Sequence, residues 1–189
     1  IKDYYAYNDG KTYNYNVRSG PHQPNPETIR SSGFKWVGDL AAEYEVEVEG
    51  NTGQLLLDLV EGGEHFVCSI DVSSGLATLS RKRLTGEKGF FTGPTGTIEE
   101  NPVGKTKING PGSYRLRFSN VDNELLLWVN NRLISFEGPT TYESAEWLTE
   151  QELPDDPGDY APLGIGTRSL AMQVKRLRVL RDVYYTAYQ

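Results

Sequence analysis

Among 189 residues there is one cysteine, one methionine and two histidines. A lone Cys68 leaves no internal disulfide, so the fold must rest on a packed core, and the redox compartment stays open on cysteine grounds. His22, His65 and one thiol are a thin set for zinc, which needs three or four converging ligands. On a regular strand His65 and Cys68 would also face opposite ways. Long apolar runs are missing too: "QLLLDLV" and "ELLLWV" are strand-sized, far short of a membrane span. Positive charge is in deficit, with 19 Lys and Arg against 26 Asp and Glu and a net charge of −7. That balance repels phosphate and argues against nucleic acid as a partner. No Ser-His-Asp set, P-loop or glycine-rich phosphate loop after a strand is legible, and no cofactor is expected. The sequence opens at Ile1 with neither an initiator Met nor a leader pattern, and reads as a segment of a longer protein.

What is present favours sheet. There are 12 Tyr and 20 Gly, and β-branched residues recur throughout. In "GDLAAEYEVEVEG" Leu40, Ala42, Tyr44, Val46 and Val48 alternate with Glu43, Glu45, Glu47 and Glu49, the period of a half-buried strand. Turns at 51–53, Gly62-Gly63 and 73–75 separate this run from "QLLLDLV", "HFVCSID" and "LATLSRKR", predicting a four-strand meander. Cys68 falls in phase with Phe66 and Ile70, as a small core residue. The Gly-, Pro- and Thr-rich stretch 85–112 is a long excursion with one short strand near 105–108. "SYRLRFSN", "ELLLWV" and "RLISF", joined at Asp122-Asn123 and Asn130-Asn131, predict a second meander. "TTYESAEWLTEQEL" is the one helix candidate, stopped by Pro154. "APLGIG" and the long run from Met172 close the chain with a short and a long strand. The expected fold is all-β: a single domain over 1–189, a two-sheet antiparallel sandwich of the concanavalin A or laminin-G jelly-roll kind with one short helix, residues 10–33 being loop-rich.

Charge is unevenly spread. Residues 143–159 carry seven acids and no base, and 168–181 carry five bases and no acid, which reads as two solvated faces, possibly opposed. Glu43 and Glu45 are the most tempting chemical pair, because glycosidases place two carboxylates about 5–5.5 Å apart when they retain configuration, one with a raised pKa. Neighbouring carboxylates on an exposed sheet face explain the same pattern more simply. Lys82 in "KRLTGEKG" sits between Arg81 and Arg83, as in a solvated turn rather than in the dry site a lysine base needs. "PDDPGD" concentrates oxygen ligands but lacks EF-hand spacing and reads first as an acidic turn. Of the three tryptophans, Trp128 lies in an apolar strand and is expected in the core, whereas Trp147, beside acids, is the candidate for an exposed sugar-stacking ring. The ligand-binding candidates are therefore Glu43, Glu45 and Trp147, with no catalytic residue and no metal ligand assigned.

The two ends, "IKDYYAYND" and "LRVLRDVYYTA", resemble the borders of a long insertion in a branch of bacterial signal peptidase I. "WVGDLAAEYEVEV", "LLLDLVEGGEHFVCSIDVSSGLATLS", "RLRFSNVDNELLLWVNNRLISF" and "DYAPLGIGTRS" are similar to its interior, so the resemblance covers most of the chain apart from 11–32 and 85–110. It implies a non-catalytic β-sandwich insert of a Ser/Lys endopeptidase, held on the periplasmic side of the inner membrane. The parent peptidase domain would be its partner, with a preprotein or an envelope glycan as a further one. The Ser-Met-x-Pro and Gly-Asp-Asn segments of that family are absent here. Lys82-Arg83 begins its lysine segment but lacks the Pro-Gly-Asp that follows, so the catalytic lysine is not carried onto Lys82. The resemblance also implies adjacent borders, 1–9 beside 177–187, with Tyr4–Tyr7 against Asp182–Tyr185. The alternative function is a glycan-binding or glycosidase-like concanavalin-type domain.

Overall fold

The computed structural model describes residues 38–144 and 153–181. Four long strands come first: β1 (Leu40–Val48), β2 (Gln54–Glu61), β3 (Glu64–Asp71) and β4 (Leu76–Arg83). Short pieces follow as β5 (Lys88–Gly89), β6 (Phe91–Thr92), β7 (Ile98–Glu99) and β8 (Val103–Lys105). The remainder are β9 (Gly112–Val121), β10 (Glu124–Val129), β11 (Arg132–Leu133), β12 (Leu163–Arg168) and β13 (Met172–Arg181). One sheet, here the front sheet, has the order β11-β10-β9-β1-β13. The back sheet runs β12-β2-β3-β4-β5, with β8 also on β4, and β6 and β7 form a separate hairpin. All pairings are antiparallel. The result is the expected two-sheet antiparallel sandwich of jelly-roll kind.

The two-residue period decides what fills it. From the front sheet Leu40, Ala42, Tyr44, Val46, Val48, Leu116, Phe118, Leu125 and Leu127 point inward, and from the back sheet Leu55, Leu57, Leu59, Phe66, Cys68, Ile70 and Leu79, all buried. Each such aliphatic or aromatic side chain contributes about 1.5–3 kcal/mol on leaving water. Cys68 takes its place in this set as the periodicity predicts, and burial pushes its thiol pKa up. Gly62-Gly63, Asp122-Asn123 and Asn130-Asn131 all hold positive φ, which two-residue turns matched to strand twist require. The second meander, β9-β10-β11, forms as predicted.

The first meander is only partly right. β2, β3 and β4 are hairpin neighbours, but β1 belongs to the opposite sheet. The Leu40–Val48 face of β1 and the Leu55–Leu59 face of β2 are apolar, and the arch at 49–53 lays them against each other rather than edge to edge. Gly53 makes the arch possible. Its φ is +105°, and a Cβ there would stand 2.4 Å from the Ser169 carbonyl oxygen. The strand expected at 105–108 is β8, at 103–105, and pairs with β4.

The helix candidate is not helical in its described residues. Thr141 bridges Glu124, Thr92 N–H donates to the Thr141 carbonyl, and Tyr142 N–H donates to Asn123, so this backbone is spent on strands. The Tyr142 ring is drawn into the core instead. Residues 145–152, Trp147 among them, lie outside the described part. The one helical element among the described residues is a 3-10 turn, Gly158–Tyr160, inside the acidic loop. The border segments 1–9 and 182–187 also lie outside it. Within it, Leu40 and Arg181 are direct antiparallel partners, so the described chain enters and leaves at one end of one sheet.

At that end the inward positions turn polar. Glu61 continues the phase of Leu55, Leu57 and Leu59, Asn120 that of Leu116 and Phe118, and Arg81 that of Ala77 and Leu79. Asn120 Nδ2 donates to Glu61 Oε2 at 2.6 Å, and Tyr142 Oη stands 2.8 Å from Asn120 Oδ1 and 3.2 Å from Glu61 Oε2. Arg81 pairs with Glu64 at 2.8 Å and lies 4.2 Å from the Tyr142 ring centroid, a buried ion pair capped by an aromatic face. Burial raises the Glu61 carboxyl to about 7, against the lowering effect of its Tyr142 contact.

Candidate functional site

Glu43, Glu45 and Glu47 alternate outward on β1 with Glu49 just beyond it, and the structure answers the first two with arginines from both sides. On β9, Arg115 and Arg117 stand opposite Glu45 and Glu43. On β13, Arg176 and Arg178 stand opposite the same two glutamates. Arg117 Nε donates to Glu43 Oε1 at 2.9 Å with a second contact from Nη2, while Arg178 Nη1 donates to Glu43 Oε2 at 3.2 Å. Glu45 Oε1 accepts from Arg115 at 3.3 Å and is 3.9 Å from Arg176. A register shift between Glu45 and Val46 skips Lys175, which reaches Glu47 at 2.9 Å. Gln173 donates to Glu49 at 2.9 Å.

Lys175, Arg176 and Arg178 of the basic run therefore face β1, whereas Arg168 lies on β12 of the back sheet, 3.2 Å from Gln54. The described acids of the 143–159 run turn to other groups. Asp156 Oδ2 lies 3.0 Å from His65 Nε2, and Asp159 accepts from Gly62 N–H and Gly63 N–H at 2.8 Å each. "PDDPGD" is thus a clasp on the β2–β3 hairpin. Among the described residues no group of three His, Cys, Asp or Glu side chains is arranged to hold a metal ion.

Beside the charged rows lies Trp128. It is on the front sheet's outer face, not in the core where it was expected. Leu125, Leu127 and Val129 take the inward positions of β10, and Trp128 is in the opposite phase, half-buried between Arg117 and Leu133 as cross-strand partners. The Arg117 guanidinium sits 5.6 Å from its ring centroid. The Asn130-Asn131 turn overhangs the same face, with Asn130 Oδ1 accepting from Arg115 N–H at 2.9 Å. Three adjoining hollows of about 240, 250 and 360 Å³ share Arg115 and Asn131 and run along this face. Together they form a groove floored by Glu43 and Glu45 and walled by arginine and tryptophan.

Hydrogen bonding from Arg117, with the positive charges of Arg117, Arg178 and Arg176, holds the Glu43 carboxyl below the usual carboxylate range, against the opposing effect of burial. A general acid needs the opposite shift. Glu43 is a fixed acceptor that orders two guanidiniums. Of the sequence candidates, Glu43 and Glu45 come together in the groove, and Trp147 lies outside the described residues. Arg115 and Arg117 are not among the sequence candidates, Arg176 and Arg178 enter there only as part of a solvated basic run, and Trp128 is expected in the core. The strand alternation could have flagged all of them, since Arg115 and Arg117 are out of phase with Leu116 and Phe118. Lys82 is exposed on β4, in water and without the dry surroundings a neutral lysine requires.

No protein-family model matches the chain, and no curated protein matches it. Solved structures do resemble it in outline. Sheep galectin-11 in complex with glycerol aligns with a TM-score of 0.48 and 12% identity, over 77% of this chain and 92% of the galectin. The carbohydrate-binding module CBM66 from Bacillus subtilis gives 0.45 and 11%, over 75% and 74%. A tetrameric galectin from the ball sponge Cinachyrella sp. gives 0.43 and 16%, over 79% and 92%. At this level the likeness carries no argument about a ligand.

Proposed function

We propose that the chain is a non-catalytic, glycan-binding β-sandwich domain whose site is the outer groove of the front sheet. The observation that carries this is Glu43, clamped by Arg117 and Arg178 immediately beside the half-buried face of Trp128. A sugar ring offers an apolar C–H face and a rim of hydroxyls. An aromatic surface takes the first, and donors and acceptors held in fixed positions take the second. The carboxylate–guanidinium lattice supplies both kinds of polar group already ordered, so little side-chain entropy is lost on binding. Glu43 and Glu45 serve as acceptors and as supports for the arginines, and the lowered Glu43 pKa speaks against a glycosidase. The test is a glycan array followed by calorimetry on the best binder. Trp128→Ala is expected to weaken binding at least tenfold and Glu43→Gln about tenfold, with melting temperatures near that of the wild type. An array without a single binder contradicts the proposal.

A second reading concerns the setting, and the pairing of Leu40 with Arg181 favours it. A domain inserted into another protein must have its two ends close together. That adjacency, with the resemblance of the border segments, supports placement as an insert in a signal peptidase I-like parent on the extracytoplasmic side. Reading the full parent sequence for the serine and Gly-Asp-Asn segments tests it, and their absence would remove the peptidase setting while leaving the groove untouched.

A further inference from the structure

We infer that the glycan taken by this groove is anionic, bearing carboxylate or sulfate groups. The inference rests on the glycan-binding reading above and starts from a mismatch in numbers. At the level of Glu43 and Glu45 four guanidiniums surround two carboxylates, an excess of two positive charges on a chain whose net charge is −7. Lys175 and Glu47 form the next pair along and cancel. Donors outnumber acceptors more strongly still. Each guanidinium carries five N–H groups, so the four hold about twenty, whereas two carboxylates offer only about eight lone-pair sites. Even fully saturated, Glu43 and Glu45 leave more than half of those donors to water or to a ligand.

The arginines are also presented for use. Their side chains are between 47% and 60% exposed, while Glu43 between them is only 19% exposed. The acid is the buried support and the bases are the contact surface. Because β9 and β13 flank β1, the two arginine rows stand about 10 Å apart, with about 7 Å between successive arginines in a row. Such a set of forked donors suits acceptor-only groups on an oligosaccharide better than neutral hydroxyls, which bring donors of their own. Nucleic acid is disfavoured by the overall negative charge and by the presence of one tryptophan platform among the described residues of this face, since single-strand binders stack successive bases on several rings.

The experiment compares polysaccharides of one backbone in neutral, carboxymethylated and sulfated form (dextran, carboxymethyl dextran and dextran sulfate), with polyglutamate as a non-sugar polyanion. Binding is read by biolayer interferometry across a salt series. The wild type is expected to bind the anionic dextrans at least tenfold more tightly than dextran, and with affinity that falls as salt rises. In the Arg176→Gln/Arg178→Gln variant the anionic-to-neutral ratio should fall toward one, at up to roughly fivefold per exposed guanidinium removed. Trp128→Ala should weaken the anionic dextrans at least tenfold, and Lys82→Gln on the back sheet should change nothing. Dextran binding as tightly as its anionic forms overturns the inference but leaves glycan binding standing. Polyglutamate binding as tightly as dextran sulfate, unaffected by Trp128→Ala, overturns both, as does binding to none of the four.

Discussion

The buried carboxyl of Glu61 makes a quantitative prediction about stability against pH. Its side chain closes the polar end of the core, only 8% exposed, with the Gly38 backbone so near that a Cβ there would overlap Oε1. Proton counting shows which form fits. Tyr142 has one phenolic proton and two oxygen neighbours, Asn120 Oδ1 and Glu61 Oε2. With one proton for two acceptors, the phenol cannot make good the carboxylate's loss of water, and burial favours the neutral carboxyl. Burial raises the Glu61 pKa from 4.5 to about 7, so the folded state holds a proton that the unfolded chain gives up earlier. Stability linked to Glu61 is then fully present below pH 4.5 and is lost as pH rises through about 7. A shift of that size corresponds to about 3 kcal/mol between the two plateaus. Glu61→Gln keeps the shape, can place its amide oxygen where Oε2 accepts from Asn120, and cannot ionise. Urea unfolding at intervals from pH 4.5 to 8.5 should find the variant within about 1 kcal/mol of the wild type at the acid end and about 3 kcal/mol more stable at pH 8. A difference between the two proteins that stays constant across this range would refute the argument.

His65 should produce a separate drop at higher pH. Hydrogen bonding to Asp58 at 2.8 Å, joined by Asp156 at 3.0 Å, raises its pKa from 6.5 to about 9 against the cost of burial. Its contribution is complete below pH 6.5 and lost through about pH 9, and because the carboxylates are a third exposed it is about 1–2 kcal/mol. His65→Gln should lower stability by that amount at pH 6 and by little at pH 9.5, as read by the same unfolding experiment. Arg81→Ala should cost about 3–5 kcal/mol, because it leaves Glu64 without its partner at a 12% exposed position and opens space beneath the Tyr142 ring. Arg81→Leu, which refills that space but also leaves Glu64 unpaired, should recover only part of the loss in thermal melting, and full recovery would argue against the ion pair.

The alternation of apolar and charged residues on β1 shows its buried face and its outward glutamates without any structure, and the Gly-Gly and Asn-Asn turns announce their hairpins. What a local window does not contain is the partner. Glu43 meets Arg117 and Arg178 across 74 and 135 residues, and Glu61 meets Asn120 across 59. For that reason the glutamate row looked like a self-repelling surface, and the basic run near the end looked like a separate solvated face. Sheet membership was hidden for the same reason. An arch between sheets and a turn within one use the same small residues, and only the docking of two apolar faces distinguishes β1–β2 from β2–β3. Trp128 was misplaced despite a legible phase, because an apolar strand invites the assumption that all of its large residues point inward. Thr140–Tyr142 reads as a helix start until β10 is seen to take its backbone.

The groove itself is tested most directly by titrating isotope-labelled protein with a dextran sulfate oligosaccharide and following side-chain N–H signals by NMR. The account predicts shifts at the Trp128 indole and at the Nε–H of Arg117, Arg115, Arg176 and Arg178, with the back sheet unmoved. Shifts confined to the back sheet, or none at Trp128 with saturating ligand, would contradict it.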